Sequence, residues 1–160
     1  TKDIKGTFTQ IKKPGPHNVK DVIIKAVPTH HDPSKGKERG DNLVFLIETD
    51  GLRLAHMGDL GHKLEKGTLE EIGKVDIVLL PVGGFYTIDA SEATRVMNDL
   101  KPSIVIPMHY KTKKCNFPIA SVDEFIAGKK GVKKTNTSEI EISKSTIPTE
   151  PEIIVMEYAL

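Results

Sequence analysis

Three short apolar runs in this chain each end in a histidine or an aspartate, and this shared design constrains the fold more than any other feature. The runs and their endings are 22–27 before His30 and His31, 52–57 before Asp59, and 104–106 before His109. Short runs rich in branched apolar residues are typical of strands. The sequence therefore predicts three strands whose ends bring a histidine or an acid to one edge of a sheet.

Histidine and aspartate at converging strand ends point to metal chemistry. Imidazole and carboxylate together suit zinc, iron and manganese, and zinc bonds of about 2.0–2.2 Å require the ligands to converge. A carboxylate between two histidine sites can bridge two ions and hold a hydroxide as the nucleophile. Gly58 and Gly61 flank the acid, so backbone or ligand can approach Asp59 closely. On spacing alone, a histidine at a strand end is more often a capping or hydrogen-bonding residue than a metal ligand.

Length and charge fit one compact domain spanning residues 1–160. The formal net charge of +1 implies no strong attraction for nucleic acid, and no apolar run approaches a membrane span. A single cysteine, Cys115, can form no internal disulfide, which favours a reducing, cytoplasmic compartment. The start at Thr1 shows neither an initiator methionine nor a signal peptide, so we expect either a processed chain or a fragment.

The order of patterns along the chain is that of a mixed α+β fold. The pattern predicts strands at 7–12, 22–27, 43–48, 52–57, 76–82, 103–107, 139–143 and 153–156, and helices at 68–73, 91–100 and 121–127. The Asp50-Gly51 pair predicts a hairpin turn, and Asp89 or Ser91 caps the second helix. We expect turns at 13–16 and 128–134. The polar loop 29–41 is of a length that often carries function.

Four motifs in this order resemble those of the metallo-β-lactamase fold superfamily. His-Asp-Pro-Ser at 31–34 with Glu-Arg-Gly-Asp-Asn at 38–42 resembles its third motif, Gly-Asp-Leu-Gly-His at 58–62 its fourth, and Pro-Met-His-Tyr at 107–110 its fifth. The Pro-Val-Gly-Gly-x-Tyr-Thr run at 81–87 is similar to that of simple one-domain hydrolases, the ascorbate-phosphate lactonase group. The resemblance covers about residues 19–127.

The resemblance implies an αββα sandwich that is incomplete at its N-terminus. The family's His-x-His-x-Asp-His motif, which supplies most of the metal ligands, has no match in this sequence. We therefore expect the C-terminal portion of a single metallo-β-lactamase-like domain, with one sheet and part of the other.

The resemblance also implies roles for particular residues. His31 would bind a first ion, Asp59 would bridge two ions and His109 would bind the second, with His30 as the alternative to His31. The ions would be zinc, with manganese or iron as alternatives. His62 would lie near the hydroxide and shuttle a proton or contact substrate, which makes Asp59 and His62 the catalytic candidates; a surface histidine is the alternative for His62.

Three further residues are candidates for substrate binding, namely Arg39, Tyr86 and Thr87. Two of them have a simpler explanation, which is a solvated loop charge for Arg39 and core packing for Tyr86.

The expected function is hydrolysis of an ester, lactone or phosphoester through a metal-bound hydroxide, when the N-terminal metal motif is present. The alternative is a non-catalytic binding or assembly module on the same scaffold. A nucleic-acid-processing member is disfavoured by the nearly neutral charge and the lack of an inserted second domain. The expected partners are a small-molecule substrate and either a second copy or the missing N-terminal part, with no nucleic acid and no membrane.

Overall fold

The computed structural model describes residues 5–159, which form one eight-stranded sheet and three helices. The strands are β1 (Gly15–Val19), β2 (Val22–His30), β3 (Asp41–Thr49), β4 (Leu52–His56), β5 (Ile77–Pro81), β6 (Ile104–Met108), β7 (Val132–Lys134) and β8 (Glu152–Val155). The helices are α1 (Lys66–Ile72), α2 (Ala90–Leu100) and α3 (Val122–Ile126). The order across the sheet is β1-β2-β3-β4-β5-β6-β8-β7. The predicted mixed α+β class is confirmed. No helix in this described part of the chain is long and apolar enough to cross a membrane.

The first four strands are antiparallel neighbours, and their hairpin follows the sequence prediction. Thr49 pairs with Leu52 across a two-residue turn. Asp50 and Gly51 have φ values of 50° and 71°, the positive pair that matches the twist of a tight hairpin.

Strands β4, β5 and β6 run parallel, with α1 and α2 as the connections between them. Parallel strands require such crossover connections. Their carboxyl ends therefore lie along one edge of the sheet. Strand β3 is antiparallel to both β2 and β4, so β2 ends and β3 begins at this same edge. We call this the site edge.

One face of the sheet is buried beneath the helices. The core on this face contains Val44, Leu46, Ala55, Val78, Leu80 and Val105, packed with Ala93, Val96, Leu100 and Phe125 of the helices. Helix α2 begins with the predicted Asp89 cap: the Asp89 carboxylate accepts the backbone N–H of Glu92 at 2.8 Å, and the Glu92 carboxylate accepts the backbone N–H of Asp89.

The opposite face is covered only in part. Leu52, Ile77 and Ile104 are buried there beneath Ile142 and Ile147, which lie in the irregular segment before β8. Nearer the site edge, the same face forms an open cleft. Its apolar lining includes Leu43, Phe45 and Ile47 from β3, together with Ile11 and Pro14 from the segment before β1.

Several element predictions are wrong, and distant pairing explains them. Residues 7–12 are not a strand, and β1 instead begins at Gly15, inside the predicted turn. Residues 139–143 are irregular because Ile142 packs on the sheet face rather than pairing with a neighbour. The predicted turn at 128–134 contains β7, where Val132 pairs with Ile153. No part of a second sheet occurs among residues 5–159.

Two boundaries also differ from prediction. Strand β2 continues through Pro28 because β1 pairs with it only as far as Ala26, so the N–H that proline lacks is not needed on that side. Helix α1 begins at Lys66, after Glu65, which is two residues before the predicted start at Thr68. Gly73 ends the helix with a φ of 65°, as predicted.

Candidate metal and catalytic site

The structure places His31, Asp59 and His109 along the site edge. His31 follows the last residue of β2, Asp59 lies three residues after β4, and His109 follows β6. That they share metal ions stays a prediction. Among residues 5–159, no three His, Cys, Asp or Glu side chains are grouped closely enough to hold an ion by themselves.

The loops that carry His31 and Asp59 pack directly against each other. The backbone N–H of Gly61 donates to the carbonyl of His30 at 3.0 Å. A Cβ atom at Gly61 would lie 2.2 Å from the carbonyl carbon of His31, far inside van der Waals contact. Glycine at this position therefore permits the approach of the two loops.

Asn42 fixes the backbone of Asp59, a role that the sequence analysis did not assign. Its Oδ1 accepts the N–H of Asp59 at 3.0 Å, and its Nδ2 donates to Thr29 Oγ1 at 2.8 Å and to the Met57 carbonyl at 2.9 Å. A Cβ atom at Gly58 would lie 2.3 Å from Asn42 Oδ1. The signal in the sequence was the Asp-Asn pair before an apolar strand, where a polar side chain can reach neighbouring loops.

His109 has a left-handed backbone, with a φ of 52°. Non-glycine residues rarely adopt this conformation unless their surroundings hold them there. Gly83 supplies that close contact, because a Cβ atom there would lie 2.1 Å from the His109 carbonyl oxygen. The carbonyl of Gly83 also accepts the N–H of Ala120 at 2.7 Å, so the loops after β5 and β6 are joined.

Within residues 5–159, His31 Nε2 and His109 Nδ1 are buried at the site edge without a hydrogen-bond partner. Buried polar atoms normally have partners, and an imidazole nitrogen with a free lone pair is a common metal ligand. Nδ1 of His30 is also without a hydrogen bond, but it lies 3.4 Å from an Asp41 carboxylate oxygen. The donor types therefore fit a divalent metal. Between His30 and His31, the carboxylate beside His30 favours His31 as the ligand. The number of donors falls short of a complete metal site.

Both ring nitrogens of His62 are engaged. Its Nε2 accepts the backbone N–H of His30 at 3.0 Å, so Nδ1 carries the proton that is shared with the Lys63 carbonyl at 2.9 Å. The two imidazole rings of His30 and His62 lie 5.5 Å apart. The predicted proton-shuttle role stays a prediction, while the contact itself positions the His30-His31 turn.

Asp32 organises the loop that follows His31, and sequence reasoning missed it. Its buried carboxylate accepts four backbone N–H groups at 2.8–3.1 Å, donated by Ser34, Gly36, Glu38 and Arg39. Burial alone would raise the pKa of Asp32, but these donors outweigh burial and hold it below its usual value. The Asp-Pro-Ser sequence was the available signal, since aspartate often closes such turns with its side chain.

The three candidate substrate-binding residues differ in position. Arg39 Cζ lies 6.0 Å from the centre of the Tyr86 ring, so these two are neighbours. Thr87 is only 8% exposed, and its hydroxyl lies 3.4 Å from the Ile88 carbonyl. Its hydroxyl therefore faces the protein interior, and substrate contact by any of the three stays a prediction.

The open cleft reaches the site edge at Asp59, with His30, Asp41 and His56 also in its lining. Nδ1 of His56 accepts the N–H of Gly58 at 3.1 Å. Burial lowers the pKa of His56, and the nearby Asp59 carboxylate opposes this only in part. A neutral His56 therefore shapes the turn that leads to Asp59.

Comparison with known proteins identifies the family. The chain matches the family model of the beta-lactamase superfamily domain over residues 1–109. It is 40% identical over 100 residues to a UPF0173 metal-dependent hydrolase of Thermococcus onnurineus, covering 61% of this chain and 45% of that protein. A Pyrococcus abyssi protein of the same name is 37% identical over 110 residues, covering 68% and 49%. The chain thus spans about half the length of these curated relatives.

Comparison with solved structures leads to the same family. A Thermotoga maritima protein, whose crystal structure is described as that of a candidate zinc-dependent hydrolase of the metallo-β-lactamase superfamily, superimposes with a TM-score of 0.83 and 38% identity. The match covers 96% of this chain and 74% of that one. A metallo hydrolase of Ignicoccus hospitalis gives a TM-score of 0.55 with 31% identity, covering 78% and 52%. With the domain match and the shared fold together, the chain belongs to the metallo-β-lactamase superfamily.

Proposed function

We propose that this chain provides part of the active site of a metal-dependent hydrolase, with His31, Asp59 and His109 as metal ligands. The observation that carries the proposal is that two buried imidazole nitrogens, His31 Nε2 and His109 Nδ1, have no hydrogen-bond partner in the described part of the chain and lie on the edge that also holds Asp59. The names of the relatives from Thermococcus and Thermotoga, which refer to metal-dependent and zinc-dependent hydrolases, support it.

A bound divalent metal would supply activation of water and polarisation of the bond to be cleaved. Zinc suits the mixture of imidazole and carboxylate, with manganese or iron as alternatives, and two ions would share Asp59. The remaining ligands would come from the part of the relatives' length that these 160 residues do not span. The chain's own contribution is to hold donors in place: Asn42 fixes the backbone of Asp59, and His62 fixes the turn at His30.

The proposed substrate is a small ester, lactone or phosphoester. Arg39, which the Asp32 hydrogen bonds hold beside the site edge, supplies a positive charge for an anionic group. We also propose a reducing, cytoplasmic location, which the free thiol of Cys115 supports.

A second candidate is a non-catalytic binding or assembly module on the same scaffold. The observation that favours it is the absence, within residues 5–159, of any three side chains grouped to hold an ion. Catalytic zinc usually has three protein ligands and one open position.

Metal analysis and activity assays separate the two candidates. The 160-residue chain and a longer chain that includes a His-x-His-x-Asp-His segment are dialysed, analysed for bound metal, and assayed with ester, lactone and phosphodiester substrates. We expect weak metal binding and no turnover in the short chain, and tightly bound metal with turnover in the longer one.

Variants locate the site. In the longer chain, Asp59→Ala should abolish both metal binding and turnover, whereas Asp99→Ala, an exposed acid on α2, should change neither. A longer chain that binds no metal would favour the assembly module. Tight metal and turnover in the short chain, both lost on Asp59→Ala, would contradict the need for further ligands.

A further inference from the structure

Three aromatic rings form a cluster in which two rings are exposed, and of the three residues only Tyr86 has a candidate role so far. The Phe85 and Tyr86 rings lie 4.7 Å apart at 76°, and the Tyr86 and Phe117 rings lie 5.8 Å apart at 78°, both in edge-to-face contact. Phe85 is 63% exposed and Phe117 is 60% exposed. We call Phe85, Tyr86 and Phe117 the aromatic ledge. Clustered exposed aromatic surface is typical of binding sites.

The aromatic ledge is fixed to the loops that carry the proposed ligands. Ile88, just after the first two rings, donates its N–H to the Leu60 carbonyl at 2.9 Å, next to Asp59. Gly83, just before them, packs on the carbonyl of His109. Lys111 Nζ donates to the Phe117 carbonyl at 2.7 Å and holds the third ring in the loop after His109. A ligand on the ledge would therefore lie beside the site edge.

The backbone of the ledge supports a binding role. Phe85 has a φ of 61°, a left-handed conformation that is unusual for a bulky residue and that presents its ring to solvent. The loop is held by hydrogen bonds from Tyr86 N–H to the Gly84 carbonyl at 2.7 Å and from Gly84 N–H to the Ile88 carbonyl at 3.2 Å. Such conformations persist where the surroundings fix them, and they concentrate at ligand sites.

Cationic side chains lie on the loops beside the ledge. The guanidinium of Arg39 lies 6.0 Å from the centre of the Tyr86 ring, and its Nη1 is 3.5 Å from a Glu38 carboxylate oxygen at the exposed surface, where a ligand phosphate could replace that carboxylate. Lys113 and Lys114 are exposed on the same loop as Phe117. Exposed rings beside cations match a ligand that has both a flat ring and a negative charge.

We propose that the aromatic ledge binds the ring of an aryl phosphoester, with Arg39 on its anionic group. This inference extends the proposed function and relies on it for the identity of the bond that is cleaved. Binding of the ring itself does not depend on turnover. Phe85 and Phe117 contact the ring, and the ester lies toward the loops of Asp59 and His109.

The test measures binding without catalysis. Because the sequence contains no tryptophan, the fluorescence anisotropy of 1-naphthyl phosphate can be followed during titration with the 160-residue chain in the presence of a chelator. We expect saturable binding, weakened about three- to tenfold by Phe117→Ala, the range that one aromatic contact contributes. Arg39→Gln should also weaken it, and phenyl phosphate should compete better than cyclohexyl phosphate.

Two control variants test whether the binding is specific to the aromatic ledge and to Arg39. Phe8→Ala, which removes a phenylalanine that is 47% exposed outside the ledge, and Arg95→Gln, an exposed arginine on α2, should leave binding unchanged. Equal binding by Phe117→Ala, or equal competition by the two phosphates, would overturn the proposal. So would loss of binding in the longer chain, which would make the ledge an internal interface. A longer chain that hydrolyses only non-aromatic esters would contradict this inference alone and leave the proposed function standing.

Discussion

At the scale of single residues, the site edge depends on small groups that let backbones meet. Gly58 gives room to the Asn42 side chain, Gly61 to the backbone of His31, and Gly83 to the backbone of His109. Each of these glycines lies next to a loop that carries a proposed metal ligand. The positions of the proposed metal ligands therefore depend on these glycines, which have no side chain, as well as on residues whose side chains form hydrogen bonds.

Two glycine substitutions test this with opposite expected signs. Gly61→Ala places a methyl group against the His31 backbone and should lower the free energy of unfolding by about 1–3 kcal/mol. Gly67→Ala lies in helix α1 with no atom within 4 Å of the new methyl group, so it should raise that free energy by about 0.5–1 kcal/mol. Urea unfolding measures both. Equal effects of the two substitutions would show that the close approach at Gly61 is not rigid.

At the scale of elements, Asp76 joins three parts of the fold at the edge opposite the site. Its carboxylate accepts the backbone N–H of Arg53, in β4, at 2.8 Å and pairs with Lys144 at 3.1 Å. Burial would raise the pKa of Asp76, but the hydrogen bond from Arg53 and the charge of Lys144 lower it below its usual value.

The sign of the pH dependence follows from this lowered pKa. The folded protein binds the Asp76 proton less readily than the unfolded chain, whose aspartates have a pKa of about 3.9. The stability from Asp76 is therefore complete above about pH 4 and is lost as the pH falls through the folded pKa. We expect the Tm of the parent chain to fall more steeply than that of Asp76→Asn between about pH 4 and pH 2.5. Parallel Tm curves would contradict the prediction, and Asp99→Asn is the matched control.

Elements with local signals were predictable, and elements defined by distant partners were not. The Asp50-Gly51 hairpin and the Asp89 cap of α2 are short-range patterns, and both are present as predicted. Strand β7 exists because Val132 pairs with Ile153, which no local pattern reveals. The same difference applies to the site. The positions of His31, Asp59 and His109 at strand ends were predictable from the sequence. The roles of Asn42 and Asp32 were not, because they depend on backbone groups that only the folded chain brings near.

At the scale of the whole molecule, the open cleft places apolar side chains beside the site edge. Its lining from β3 includes Phe45 and Ile47, and it continues to Asp59. Apolar surface of this kind invites association. We therefore propose that the chain pairs with a second copy or with the part of the relatives that it does not span.

Light scattering across a range of concentrations tests this association. We expect the 160-residue chain to exceed its monomer mass, and Ile47→Lys to reduce the excess by placing a charge in the cleft. Ile23→Lys is the matched control, because Ile23 is 53% exposed on β2 and does not line the cleft. A chain that stays monomeric at all concentrations would contradict the proposal.

The parallel arrangement of β4, β5 and β6 also determines when in folding the site edge can exist. His31 and Asp59 are 28 residues apart in the sequence, and Asp59 and His109 are 50 apart. Contacts between such distant segments form slowly because long loops must close before the contacts stabilise anything. The hairpin of β3 and β4 can form early, but the His109 loop reaches the edge only after two crossovers have docked. In a nascent or partly refolded chain the proposed ligands His31 and His109 would therefore lie apart, and a metal site that uses both of them would form only after the sheet is complete.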